Sequence, residues 1–274
     1  MSGPNASDAA GLPTAAEHPA HAPDLGSPHV HARLEPGVLH LRIDRPERRN
    51  SFTQDMYRAI KRAAIWADRE ASIDAVCLTG TDEWFGAGGD LARRTTADDL
   101  DSEWDGTDHF PFRHIERCRK IWVARINGLC HAGGLDIALH CDVTIASDRA
   151  RFRVPELLRG LPDPFMGARL TAAVGLARAR FMIFTAEEWT AAEAMAAGLV
   201  GDVVHHDQLD ERVAWALDRI RRTGPNARAV MKRDLNRLLP THDLSLFSQV
   251  GTAEMMEGMN SFVEKRDPVW RHEG

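Results

Sequence analysis

WVARINGLCHAGGLDIALHCDVTIAS, Trp122 to Ser147, sets out the architecture of the chain in one stretch. WVARING is β-rich and apolar and reads as a strand. HAGGLDIALHC opens on two glycines and then runs apolar at helical length, and DVTIAS returns to strand character. Strand, glycine turn, helix and strand in succession predict an α/β chain with a largely parallel sheet. Inside the apolar helix sits a lone carboxylate, Asp136.

The same alternation extends outward. VHARLEPGVLHLRID, residues 30–44, reads as two short alternating strands around a Pro-Gly turn. NSFTQDMYRAIKRAAIWADRE has apolar residues at helical spacing, with Ser51 or Thr53 as its cap, and AVCLTG follows as a strand. DHFPFRHIERCRK reads as a second long helix, and DVTIASDRARFRVPE as short strands. From Leu209 onward the pattern is helical. The expected organisation is a tail over residues 1–29, rich in Ala, Pro, Gly, Ser and His, a core over 30–208 and a helical region over 209–274.

Composition excludes several classes. A formal charge of −6 argues against a dedicated nucleic-acid binder, and the arginine clusters lack the stacking aromatics that RNA binding would use. No segment is long and apolar enough for a bilayer, and the first residues do not read as a leader. Cys77, Cys118, Cys130 and Cys141 lack metal or disulfide spacing, which points to a reducing cytoplasm. The histidines of the N-terminal stretch (His18, His21, His29, His31) have no supporting cluster, and no metal site is expected.

Two glycine turns follow strands: FGAGGDL, Phe85 to Leu91, and HAGGLD, His131 to Asp136. Bare backbone at a helix start offers unpaired N–H groups to a developing negative charge, although glycines also serve close packing alone. Neither turn matches the dinucleotide-binding order of glycines.

RIDRPERRNSF, FGAGGDL, INGLCHAGGLDIALHCDVTIAS, FRVPELLRGL, TAAEAMAAGLVGDVV and EGMNSFVEKRDPVW, in that order, resemble the landmarks of the enoyl-CoA hydratase/isomerase family, the crotonase superfamily, from about residue 33 to 270. The resemblance implies a spiral core of repeated ββα units with a C-terminal helical region, a trimer or dimer of trimers, and an acyl-CoA thioester substrate. Coenzyme A is then part of the substrate, with no separate cofactor. By position, Gly89 and Gly133 would supply the two backbone donors that hold the thioester oxygen. Asp136 and Glu156 would occupy the places of the two hydratase glutamates. Asp136 is one methylene shorter, and dienoyl-CoA isomerases of the family carry Asp there with a further Asp downstream. Asp163 lies near that third place, and Pro-Asp-Pro is equally ordinary turn chemistry.

The same resemblance places Arg45, Arg48 and Arg49 where CoA phosphates are contacted, and Phe262 and Lys265 where the C-terminal helix can meet CoA. Asp90 reads as a helix cap and His131 as a structural or acid–base histidine. Phe165, Met166 and the segment from Thr95 to His109 are candidates to shape the acyl pocket. The leading expectation is hydration of an enoyl-CoA. Isomerisation of an enoyl- or dienoyl-CoA comes second, and a silent acyl-CoA-binding member is the third reading.

Overall fold

The computed structural model describes residues 21–90, 110–239 and 253–270. The hairpin forms as expected: β1 (Val30–Glu35) pairs antiparallel with β2 (Val38–Ile43) around Pro36 and Gly37. Then come α1 (Gln54–Arg69), β3 (Ala75–Thr79), β4 (Trp84–Gly86), α2 (Phe112–Arg117), β5 (Ile121–Ile126), β6 (Leu129–His131), α3 (Gly133–His140), β7 (Val143–Ser147) and β8 (Arg151–Arg153). The described chain continues with α4 (Pro164–Val174), α5 (Leu176–Thr185), β9 (Trp189–Thr190), α6 (Ala191–Ala197), β10 (Asp202–Val204), α7 (Leu209–Arg221), α8 (Pro225–Asn236) and α9 (Ala253–Glu264).

From β3 to β8 successive strands go alternately to two sheets. One runs β1-β2-β3-β5-β7-β10 and the other β4-β6-β8-β9, and all pairs are parallel except β1–β2 and β8–β9. Each turn of the chain thus lays one strand in the larger sheet and the next in the smaller one. The helix that follows β4 (α2) and the helix that follows β6 (α3) carry the chain back to the larger sheet, which is the spiral of ββα units expected above.

Strand sequence explains why this sheet is covered on both faces. AVCLT of β3 is apolar almost throughout, as a strand buried on both sides must be. Its alternate residues diverge: Val76 and Leu78 enter the main core with Ile60, Trp122 and Phe152, while Ala75 and Cys77 join Val123 and Ile145 on the other face. That second face is closed by Leu209, Val213, Ala216 and Leu217 of α7. Burying side chains of the Val and Leu kind is worth about 1.5–3 kcal/mol each, so α7 is bound to the sheet as part of its hydrophobic packing.

Local chemistry sets several boundaries. Thr53 stands at the N-cap of α1, while the Ser51 hydroxyl instead accepts from Arg45 at 3.0 Å. The long helix expected over residues 108–120 is only six residues, starting after Pro111 and ending where Cys118 turns extended toward β5. The expected tail is corrected at its inner end: Leu25 is buried in the main core and its carbonyl accepts from Arg62 at 3.1 Å. Ser27 Oγ adds a bond to Asp55 of α1 at 2.6 Å, so this polar stretch is tied to α1 at Leu25 and Ser27.

Candidate active site

The two glycine turns face each other. A Cβ built on Gly88, whose φ is +97°, would overlap the Ala132 side chain and come within 3.4 Å of the Gly133 nitrogen. A Cβ on Gly134 would run into the backbone of Gly86. These glycines let β4 and the start of α3 approach more closely than side chains would allow.

Gly133 is the first residue of α3, so helix geometry gives its N–H no intrahelical partner. The preceding Ala132 sits at φ 52°, ψ −132°, a conformation natural to glycine and strained for alanine. Its own N–H is tied to Arg153 O at 3.1 Å.

The first turn is built differently from the expected helix start. Phe52 N donates to Gly88 O and Asp90 N donates to Phe52 O, both at 2.8 Å, in a parallel bridge that lies opposite Gly89. This ladder uses the groups on either side of Gly89 and leaves the Gly89 N–H outside it. Asp90, read as a helix cap, forms an ion pair with Arg45 at 2.7 Å, and the residues after it lie outside the described part.

Arg45 also donates to Ser51 O and Ser51 Oγ at 3.0 Å, so its guanidinium clamps the glycine turn to the turn before α1. Buried Asn50 completes the clamp, accepting from Arg45 N at 2.7 Å and donating to Trp84 O at 2.6 Å. Arg48 and Arg49 are exposed, with Arg49 resting over the Trp84 ring.

Three carboxyl groups converge beside this arrangement. Asp136 comes from the first turn of α3, Glu156 from the short 3-10 turn Glu156–Arg159, and Asp163 from the N-cap of α4. Asp163 caps α4, its Oδ1 accepting from Met166 N at 3.0 Å, and its carboxyl faces the other two. Asp136 is almost fully enclosed, and neither its Oδ1 nor Glu156 Oε2 has a hydrogen-bond partner in the protein.

Burial, and then the charge of Asp163, push the Asp136 carboxyl well above the carboxylate range. The same two causes raise Glu156 to about 8. Buried carboxyl oxygens without partners are costly, and raised proton affinity at Asp136 and Glu156 suits them to proton transfer.

A second layer steadies the cluster. Arg169 of α4, itself buried, pairs with Glu116 at 2.7 Å and is the positive charge opposing the rise at Asp136. His140 Nδ1 donates to Asp136 O at 2.7 Å, and the ring stacks on Phe112. His131 Nε2 lies 3.2 Å from Glu188 without a hydrogen bond to it, and burial with Arg153, Arg159 and Arg49 nearby lowers its pKa to about 4. It is therefore a neutral ring at working pH. Cys130 is a buried thiol pushed far up by burial, in keeping with a packing residue.

Phe165 and Met166 are both fully enclosed, and Phe165 lies against Phe110 and Phe112. The segment from Thr95 to His109 lies outside the described residues. The C-terminal helix reaches the acid cluster of its own chain: a Cβ on Gly258 would overlap the Arg159 backbone, and Phe262 lies under the Arg159 guanidinium at 4.5 Å. Lys265 follows α9, exposed.

One member of the site escaped the sequence reading. Tyr57 sits in the apolar stripe of α1 with Met56, Ile60, Ala63, Ala64 and Ala67, which marks it as core. Its hydroxyl end nevertheless reaches Gly133 and the field of all three carboxyl groups. Helical spacing identifies the buried face but cannot say which loop that face meets.

A cavity of about 850 Å³ between α7 and the outer face of β1, β2, β3 and β5 contains none of these residues. Its charged groups largely satisfy one another, as with Arg125 and Asp210 at 2.7 Å. Among the described residues no helix is long and apolar enough to cross a membrane, and no group of three or more His, Cys, Asp or Glu has metal-binding geometry.

Comparison with known proteins identifies the family and agrees with the fold. Residues 33–273 match the family described as enoyl-CoA hydratase/isomerase. A probable enoyl-CoA hydratase of Rhizobium meliloti is 32% identical over 243 residues, covering 84% of this chain and 93% of that protein. A short-chain-enoyl-CoA hydratase of Clostridium acetobutylicum is 30% identical over 235 residues, covering 82% and 90%. The crystal structure of an enoyl-CoA hydratase/isomerase from Pseudoalteromonas atlantica superposes with a TM-score of 0.79 at 28% identity, covering 89% of this chain and all of that one.

Proposed function

The chain belongs to the enoyl-CoA hydratase/isomerase family, and from that premise we propose that it adds water to a 2-enoyl-CoA thioester. The observation that carries the proposal is the convergence of Asp136, Glu156 and Asp163 beside the facing Gly88–Gly89 and Gly133 turns. The thioester oxygen takes the N–H groups of Gly89 and Gly133. Withdrawal of charge onto that oxygen makes the β-carbon electrophilic, and preorganised donors of this kind are worth about 2.7–4 kcal/mol each.

Glu156, raised to about 8, carries its proton at neutral pH and is suited to deliver it to the α-carbon. Asp136 holds the water whose oxygen bonds to the β-carbon. The proton released by that water restores the carboxyl set, so one water is consumed and the enzyme is regenerated. On the family pattern Arg48, Arg49 and Lys265 meet the CoA phosphates, and Phe262 meets CoA from α9. The active form is then a trimer or dimer of trimers working in the cytoplasm.

Isomerisation remains the second reading because Asp163 stands within the cluster. With Asp at both flanking positions, one carboxylate can remove a proton and another return it at a different carbon without water.

A panel of enoyl- and dienoyl-CoA thioesters separates the two, with product mass and near-ultraviolet absorbance read together. Gain of one water with loss of conjugation supports hydration. Changed absorbance at constant mass supports isomerisation, and no change on any thioester removes both. Glu156→Gln should lower turnover by about 10²–10⁴ while acyl-CoA binding persists.

A further inference from the structure

Tyr57 is the chain's only tyrosine. Its ring is stacked on Phe52 at 5.1 Å, and Phe110 and Phe112 meet it edge-on at 5.1 and 6.3 Å. Phenylalanine would fill this aromatic cage equally well, so packing does not account for the hydroxyl. That hydroxyl lies against Gly133: a Cβ on Gly133 would overlap it, whereas the next nearest atoms, Tyr57 Cζ and Gly88 Cα, stand at 3.4 and 3.7 Å. It makes no hydrogen bond among the described residues. The hydroxyl oxygen is not one of the sealed polar atoms that lack a partner, so it opens toward the site and is available to a bound substrate.

We propose that the Tyr57 hydroxyl is a substrate-contacting donor of this site, a third hydrogen bond to the thioester oxygen beside the N–H groups of Gly133 and Gly89. The assignment rests on the acyl-CoA reading above. Position favours the thioester oxygen, because the hydroxyl adjoins the first residue of α3, whose N–H is the donor. Its chemistry agrees: burial and the negative field of Asp136, Asp163 and Glu156 oppose a phenolate, so the group stays a hydroxyl and can only donate to an oxyanion. No proton leaves it. Its part is to share the charge that develops when water adds or a proton is removed.

A single tyrosine makes the test direct. Protein labelled with 3-fluorotyrosine gives one fluorine resonance, to be followed as acetoacetyl-CoA, an enolisable thioester, is titrated against CoA alone. The resonance should move with acetoacetyl-CoA and stay in place with CoA. The near-ultraviolet band of the bound enolate should weaken in Tyr57→Phe. In turnover, Tyr57→Phe should lose about 10²-fold in kcat with KM changed by less than about threefold, at an unchanged melting temperature.

Wild-type turnover with an equal kcat in Tyr57→Phe would overturn the role of Tyr57 and leave the enoyl-CoA reading standing. So would a resonance unmoved while acetoacetyl-CoA binds. A wild type that neither turns over enoyl-CoA nor binds acetoacetyl-CoA would overturn both.

Discussion

Glu156→Gln should make the protein more stable in alkaline solution while disabling it. Glu156 has an ordinary value of 4.5 when unfolded and about 8 in the folded chain. Its carboxyl is thus neutral in the native state and ionised in the unfolded state throughout that interval. The unfolded state binds fewer protons there, so stability falls as pH rises, by about 1.4 kcal/mol per pH unit. It is fully present below 4.5 and lost by about 8.

Across the interval of Glu156 this sums to at most about 5 kcal/mol, reduced where solvent reaches the half-buried residue. Glutamine keeps the shape and never ionises, so the variant should match wild type near pH 4.5 and exceed it progressively toward pH 9. Urea unfolding at matched protein concentration between pH 4.5 and 9 measures this directly. Parallel pH profiles for the two proteins would refute the argument that Glu156 holds a proton in a buried acid cluster.

Other consequences of the structure are open to the same methods. Ala132→Gly relieves a backbone conformation costing about 1–3 kcal/mol, of which the added freedom of the unfolded chain takes back about 0.4–1, so a net gain near 1 kcal/mol is expected in urea unfolding. Lys232 donates to Ile115 O at 2.8 Å, Lys120 O at 3.0 Å and Asp142 at 2.7 Å. Lys232→Met should cost about 1–3 kcal/mol by leaving the Ile115 and Lys120 carbonyls without their donor, while Asp142, partly exposed, keeps its bond from Trp122 N; an unfolding midpoint equal to wild type would contradict that. Gly133→Ala should lower the melting temperature because the new methyl overlaps the Tyr57 hydroxyl, and Tyr57→Phe in the same chain should recover part of the loss. Strict additivity of the two would place the hydroxyl elsewhere.

How far these features were legible from the chain depends on the range of the interactions behind them. Strand and helix identity in Trp122–Ser147, the hairpin at Pro36–Gly37 and the stripe of α1 follow from periodicity and turn chemistry, which act over a few residues. The ordered motifs likewise picked out Asp136, Glu156 and Asp163 before any geometry was known. Leu25 was lost in a polar stretch because burial of one side chain leaves no period to detect. Arg45, with phosphate-binding chemistry, turned out to be engaged by Asp90, which lies 45 residues away.

By itself, then, the sequence determined the α/β alternation, because local propensity and hydrophobic pattern specify elements and the faces they bury, while the spiral and the positions of acids and bare backbone came from its resemblance to the enoyl-CoA hydratase/isomerase family. Only the tertiary structure decided what met at those faces. It brought Asp136, Glu156 and Asp163 together, where burial and the charge of Asp163 raise the proton affinity of Asp136 and Glu156, and laid the one tyrosine against Gly133. Proton affinity depends on dielectric surroundings and on charges a few ångströms away, and those distances exist only once the chain has closed.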